Sequence, residues 1–512
     1  MSTISDSYGV STRQSLLGAG VLSLIGTIWG FALALVTIPI MIHGLGLTAY
    51  GVYSLAFSVA GFGSYLDFGL SWTVSKFVAE ADAQKNESRL AAIVRLAFLY
   101  NTAVGLLFMA VILLSAGWIA HSLLRFSGVE ARVMAQVLRL AAVSFLFSSI
   151  SGVLVSTLRG LRRFATATWI AVTAMTVSMV GAAVAARLGL GVIVATSLQL
   201  LGTVFGLTLS LWVCHGFLRN SAPGGPVVAK QLRTMLTFSA WNFMTRLIQM
   251  LTTQVDKVLV GRFAGPAMLA FYTVPYNLGQ KINFLAGPAV TAIYPAAAVG
   301  QYESEAFMKQ YFSGSRLVHI VTGAAAIAAL LWADRFLGAW VGPEMAHQGT
   351  FFLRVFAIGF WLVSVGSVDG GCIEGWNHPK VTFAISAISF AMAVALAIMT
   401  SPFVGTVRAI ALGVGGYLSF AGVGQMILWQ RISKYPVGKF VWQIALPIAE
   451  MAVLGLAMTS ILRHIVSARL LVMGALPAIA AVLVLWGTFR SFASDERRTI
   501  LSRLTSFVGA TS

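Results

Sequence analysis

Apolar runs of about twenty residues follow one another from Leu16 to Phe489. Each has the length a helix needs to cross a hydrocarbon core of ~30 Å. This recurrence restricts the fold more than any other property of the chain. Charge supports it: 10% of the 512 residues are charged, 58% are hydrophobic and the mean hydropathy is +0.86. Soluble proteins carry roughly 25% charged residues, so most of this chain lies in lipid. The sequence describes an all-α polytopic membrane protein.

Hydropathy divides the chain into fourteen spans: 16–42, 49–72, 96–119, 133–158, 164–186, 188–214, 234–260, 267–293, 317–333, 348–371, 381–400, 405–428, 440–461 and 470–489. Arg187 and Gly189 mark a very tight turn between the fifth and sixth, and the ninth is short. The first apolar run is too long for the core of a cleavable signal peptide and reads as the first span. With both termini cytoplasmic, 21 Lys and Arg residues fall in cytoplasmic loops and tails and 8 in the opposite loops, leaving 5 inside spans. The asymmetry follows the positive-inside rule, so the net charge of +18 reports topology and not nucleic-acid binding. All loops are short, no phosphate-binding GxxxxGK[ST] occurs, and Cys214 and Cys372 form no paired or metal-ligand spacing. The 50 glycines suit helices packed closely through small residues.

The two halves echo each other. "GLGLTAYGVYSLAFSV" (Gly44 to Val59) aligns with "FAGPAMLAFYTVPYNL" (Phe263 to Leu278), placing Gly46 against Gly265 and Tyr53 against Tyr272. "STLRGLRRFATAT" (Ser156 to Thr168) aligns with "GCIEGWNHPKVTF" (Gly371 to Phe383), placing Gly160 against Gly375. Two six-span bundles at 16–214 and 234–428 follow, flanked by an N-tail at 1–15, a linker at 215–233 containing "SAPGGP", two additional helices within 440–489 and a C-tail at 490–512. Transporters built from such repeats handle substrate between them, near the midplane.

Charges inside spans are costly, at least ~2.5–3.5 kcal/mol for Arg, Lys or Asp at a lipid-exposed helix centre, and are functional candidates by default. The cations are Arg139, Arg246, Lys257, Lys281 and Arg354; the anions are Asp67, Asp256, Asp369 and Glu450. Arg139, Arg354, Asp256 and Lys257 lie near the outer ends of their spans, where long side chains can snorkel. Arg246 and Lys281 fall close to mid-span. Arg246 and Lys257, eleven residues apart, return to nearly the same helix face at 3.6 residues per turn. Two readings stand at this point: a buried ion-pair network with Asp256, or a water-filled, net-positive cavity that holds an anion. Glu450 lies outside the repeat and reads as a helix-contact or lipid-groove residue.

The segment "GLGLTAYGVYSLAFSVAGFGSYLDFGLSWTVSKFVAE" (Gly44 to Glu80) resembles the N-terminal signature of the polysaccharide-biosynthesis, Wzx-type flippases of the multidrug/oligosaccharidyl-lipid/polysaccharide (MOP) superfamily. Leu45, Gly46, Tyr50, Gly51, Asp67, Gly69, Lys76, Ala79 and Glu80 carry the likeness. "VDKVLVGRFAGPAMLAFYTVPY" resembles the C-half counterpart through Asp256, Gly261, Gly265 and Tyr272, with Leu269-Ala270-Phe271 departing from it, and "LRGLRRF" resembles the turn between the fourth and fifth helices. The resemblance implies two six-helix lobes around a cationic cavity in the bacterial inner membrane. It implies translocation of a polyprenyl-pyrophosphate-linked oligosaccharide for exopolysaccharide, capsule or O-antigen synthesis; the chemistry of phosphate then makes Arg246, Lys257 and Lys281 the expected pyrophosphate-binding residues, with Arg139 and Arg354 closing the outer part of the cavity. Asp256, Asp67, Asp369 and Glu450 are then candidates for ion coupling or ion pairing. No cofactor is expected beyond coupling to H⁺, Na⁺ or the membrane potential. The expected partners are the lipid-linked substrate, membrane lipids, and a polymerase and export proteins. A multidrug exporter of the same superfamily and a peptidoglycan-precursor flippase are the rival readings. A glycosyltransferase or polymerase would need an acidic pair on a sizeable outer loop, which this chain lacks.

Overall fold

The computed structural model describes residues 4–65, 70–219, 244–287, 289–290, 305–375, 379–433, 445–465 and 476–491. All regular structure among them is helical. The first half contains α1 (Ile4–Leu45), α2 (Leu47–Tyr65), α3 (Leu70–Ala83), α4 (Glu87–Trp118) with a π-helical turn at Ile119–Leu123, α5 (Gly128–Gly160), α6 (Phe164–Arg187) and α7 (Gly191–Arg219). A helical stretch over 244–253 leads into α8 (Val255–Phe284). Then follow α9 (Glu305–Trp340), α10 (Pro343–Gly375), α11 (Pro379–Val404), α12 (Thr406–Ser433), α13 (Leu446–Ile465) and α14 (Leu476–Ser491). Ten described helices are long and apolar enough to cross a membrane. Asp67, Gly69, the "SAPGGP" linker, residues 376–378 of the second repeat pair and the tail from 492 lie outside the described residues.

Glycines place the sharpest turns. α1 and α2 are joined by Gly46 alone, at φ +81°, a left-handed conformation that costs a residue without a Cβ little. Its repeat partner Gly265 has φ +80° and breaks α8 into two arms. Gly189 and Gly191 are also left-handed and form the tight α6–α7 turn expected after Arg187.

Helices overrun the spans expected from hydropathy. α1 begins at Ile4 within the expected tail, and α4 begins at Glu87, where the Asn86 side chain accepts the Arg89 amide at 2.9 Å as an N-cap. α9 is 36 residues long, against an expected ninth span of 317–333. Lys309, Arg316, Asp334 and Arg335 lowered the hydropathy on its flanks, yet the helix continues through them. Buried Arg316 donates from Nε to the Phe312 carbonyl at 3.2 Å, and the Arg335 guanidinium lies 5.5 Å from the Trp332 ring centroid.

Contacts divide the chain into two compact units, Met1–Thr273 and Val274–Ser512. In the first, α3, α4 and α5 meet through Val74, Val78, Ile93, Val94 and Val153. A second cluster joins Leu154, Leu158, Ile170 and Leu207 of α5, α6 and α7. In the second unit, Trp429 of α12 packs with Phe307 and Tyr311 of α9 and Cys372 of α10. The additional helices α13 and α14 dock on α9, where Met451 and Leu483 meet Ile320, Ala324, Ile327 and Trp332. α5 and α10 begin and end 215 residues apart, and α6 and α11, then α7 and α12, begin at that same offset. The repeat thus extends over a whole helix trio.

Candidate functional site

The seventh-span segment lies antiparallel to α2 within the first unit. Leu55 faces Gly261, Gln254 faces Gly61, and the Tyr65 hydroxyl meets Thr253 Oγ1 at 3.0 Å. Along this helix stand Arg246, Asp256 and Lys257.

Asp256 and Lys257 are 3% and 5% exposed, so the pair is desolvated. Tyr272 donates its hydroxyl to Asp256 Oδ2 at 2.7 Å, and Lys257 Nζ lies 3.6 Å from Oδ1. Lys257 also donates to the carbonyl of Thr253. Sixteen residues of straight helix would separate Asp256 from Tyr272 by about 24 Å at 1.5 Å per residue. The bond therefore requires the chain to double back, which Gly265 permits. Burying both charges is tolerable because each supplies the other's counter-charge and hydrogen bonds saturate much of the remainder.

Arg246 and Lys281 sit differently. Both are half-buried, and neither has an ion-pair partner among the described residues. Lys281, in the second arm of α8, lies 5.0 Å from the ring centroid of Phe284. Beside it Asn283 accepts a hydrogen bond from Ser364 at 3.1 Å. Arg139 on α5 is exposed; Arg354 on α10 is exposed and donates from Nε to the Leu330 carbonyl at 3.1 Å.

A second buried carboxylate occupies the other unit. Asp369 of α10 is 3% exposed and accepts from the Tyr311 hydroxyl of α9. Tyr311 stands 5.6 Å from the Trp429 ring, and Asp369 has no ion-pair partner among the described residues. Glu450 of α13 is held by both Nε and Nη2 of Arg490 (2.9–3.1 Å) and by Trp486 Nε1 at 3.2 Å, both on α14. That arrangement clamps α13 to α14.

The structure thus brings Asp256 and Lys257 together with Tyr272, and leaves Arg246, Lys281, Arg139 and Arg354 without a carboxylate among the described residues. Tyr272 was signalled by its repeat alignment with Tyr53. Nothing in the sequence signalled Tyr311.

Structural comparison places this helical repeat in a known class of folds. The lipid II flippase MurJ, in an inward closed conformation, superposes with a TM-score of 0.66 at 16% identity, covering 92% of this chain and 98% of that one. An inward-facing multidrug-resistance MATE transporter of the MOP superfamily gives 0.66 at 14%, covering 81% and 98%. The fold is that of the MOP-superfamily transporters, and the chain is a multi-pass membrane protein.

The sequence profile described as "Polysaccharide biosynthesis protein" matches residues 16–301, more than half of the chain. The chain belongs to that family, the Wzx-type branch of the superfamily. A relative from Shigella flexneri, named "Putative O-antigen transporter", is 20% identical over 376 residues, covering 73% of this chain and 88% of its own length.

Proposed function

We propose that this protein moves a polyprenyl-pyrophosphate-linked oligosaccharide from the cytoplasmic to the outer leaflet of a bacterial inner membrane. Both termini lie in the cytoplasm, and transport proceeds by alternating access through a cationic cavity. The observation that carries this reading is Arg246: a mid-span guanidinium, half-buried and without an anion among the described residues. A fixed charge at that depth is stable only where water or an anionic ligand reaches it.

A pyrophosphate carries roughly −2 and cannot cross lipid unaided. Arg246 pairs its oxygens with forked hydrogen bonds, while Lys281 offers a point charge. Arg139 and Arg354 supply the outer part of the path. Lys257, already neutralised by Asp256, adds little net field and fixes the helix turn that presents Arg246. An inside-negative potential drives the headgroup outward, by about 4–5 kcal/mol for −2 across 100 mV. Asp256 and Asp369 are the carboxylates available to couple H⁺ or Na⁺. A polymerase and export proteins then take the product.

A strain lacking the gene should lose surface or exopolysaccharide and accumulate lipid-linked repeat units inside. Arg246→Ala and Lys281→Ala should each abolish complementation at normal protein levels. Full activity of both variants refutes the cationic path. An unchanged glycan profile with altered drug sensitivity points to a multidrug exporter, and arrested peptidoglycan synthesis to a precursor flippase.

A further inference from the structure

A cavity of about 440 Å³ opens between α5, α6 and α7 of the first unit, lined in part by Ser148, Ser151, Ser156, Arg159, Ser178 and Thr203. Its size falls within the ~300–1,000 Å³ range of small-molecule sites. Hydroxyls inside membrane helices ordinarily bond to a carbonyl one turn back, and two of the five here do so. Ser148 donates to the Phe145 carbonyl at 2.9 Å and Thr203 to that of Gln199 at 3.1 Å, while Ser151 shares a 2.9 Å bond with Ser210. Ser156 and Ser178 are the exceptions. They are 7% and 9% exposed, line the cavity, and make no hydrogen bond with any described residue. Close packing accounts for small residues between α6 and α7, where Gly202 lies against Ser178 and Gly206 against Ala174. It accounts for Ser178, whose hydroxyl lies against Gly202, and not for Ser156, whose unbonded hydroxyl lines the cavity between α5 and α6.

The end of the cavity is cationic. Arg159 lines it, and the α5–α6 turn adds exposed Arg162 and Arg163. The turn is well defined: Arg162 is left-handed, its amide bonds the Arg159 carbonyl at 3.0 Å, and the Arg163 amide bonds that of Leu158 at 2.8 Å. Gly160 is packed against the Ser75 carbonyl and Val78 of α3, which fixes the turn in place. Neither Arg159 nor Arg162 has an ion-pair partner among the described residues. Such a site repels cations, while Val155, Ile170, Ala171, Ala174 and Met175 make the rest of its wall apolar. It suits a ligand that is anionic at one end and hydroxylated at the other.

We propose that this groove is a loading site for the sugar-diphosphate headgroup, separate from the deeper cations Arg246 and Lys281. Arg159 takes the phosphates, with Arg162 and Arg163 drawing them to the entrance, and Ser156 and Ser178 bond sugar hydroxyls. The inference rests on the flippase reading above and places its first contact on the cytoplasmic side, where the α5–α6 turn lies in that orientation.

The test uses the full chain in nanodiscs. Ser178→Cys, in a Cys214→Ala/Cys372→Ala background, is labelled with a water-soluble maleimide in the presence of geranyl pyrophosphate, UDP-N-acetylglucosamine or geraniol. Ser156→Cys serves as a second reporter should the first lower the yield. Geranyl pyrophosphate should slow labelling about fivefold or more and geraniol should not. Arg159→Gln should raise the half-protecting concentration roughly tenfold, the value of one charge-assisted hydrogen bond. A thiol that never labels, or labels at the same rate with and without geranyl pyrophosphate, overturns the proposal. Protection by the nucleotide sugar alone overturns the lipid-linked assignment. Protection that persists while Arg246→Ala and Lys281→Ala export normally sinks the deeper cationic path and leaves the groove standing.

Discussion

The trios α5–α6–α7 and α10–α11–α12 start from the same helix offsets and arrive at different interiors. In the second unit, Gly359 lies against Gly415 and Gly366 against Gly422, so α10 and α12 approach backbone to backbone. At the 215-residue offset the first unit has Ser144, Leu200, Ser151 and Leu207. Leucines in place of glycines put side chains between α5 and α7, which still meet where Ser151 and Ser210 share a 2.9 Å bond, and the serine-bearing groove lies mainly between α5 and α6. Buried charge divides the units in the same way. Asp256 keeps a lysine beside it, whereas Asp369 has a tyrosine hydroxyl and aromatic walls. One framework therefore supports both a closed and an open helix packing, chosen by a few side-chain volumes.

The largest effect should come from breaking the charge balance. Asp256→Ala leaves Lys257 buried without its counter-ion and should destabilise the protein by about 3–5 kcal/mol. Thermal unfolding in detergent measures this, and Asp256→Ala/Lys257→Met should recover much of the loss. A double variant as unstable as the single one would mean that the pair is not what holds this turn. Next comes packing. Gly422→Leu copies the first unit's Leu207 into the second, where its side chain collides with the Leu362 carbonyl, and should cost about 1–3 kcal/mol or more. If it melts like the parent, the two trios do not differ in closeness. The smallest change is expected for Asp369→Asn, which keeps an acceptor for Tyr311, at about 1 kcal/mol or less. A loss as large as that of Asp256→Ala would reveal a charge partner for Asp369 and erase the contrast.

Much of this architecture is legible in the sequence, and particular residues show why. Apolar length gave the spans, and the Gly46–Gly265 alignment anticipated two left-handed glycines 219 residues apart. The extent of α9 was hidden because a hydropathy window counts Arg316 as a boundary, while the helix buries it against its own carbonyl. The eleven-residue spacing of Arg246 and Lys257 suggested one shared surface. Their surroundings separate them, because Lys257 turns back to Asp256 and Thr253 while Arg246 has no such neighbour among the described residues. The groove was invisible for a different reason. Serines are nearly neutral in hydropathy, and only tertiary spacing decides whether they pack or line a space.

The docking of α13 and α14 on α9 also has a consequence for the order of synthesis. Domains emerge and fold from the N-terminus at roughly 5–20 residues per second. Ile320, Ile327 and Trp332 leave the ribosome well before Met451 and Leu483, which cover them. For several seconds that flank of α9 has only lipid as a neighbour, so a stop codon ahead of Leu446 would make the interim surface permanent.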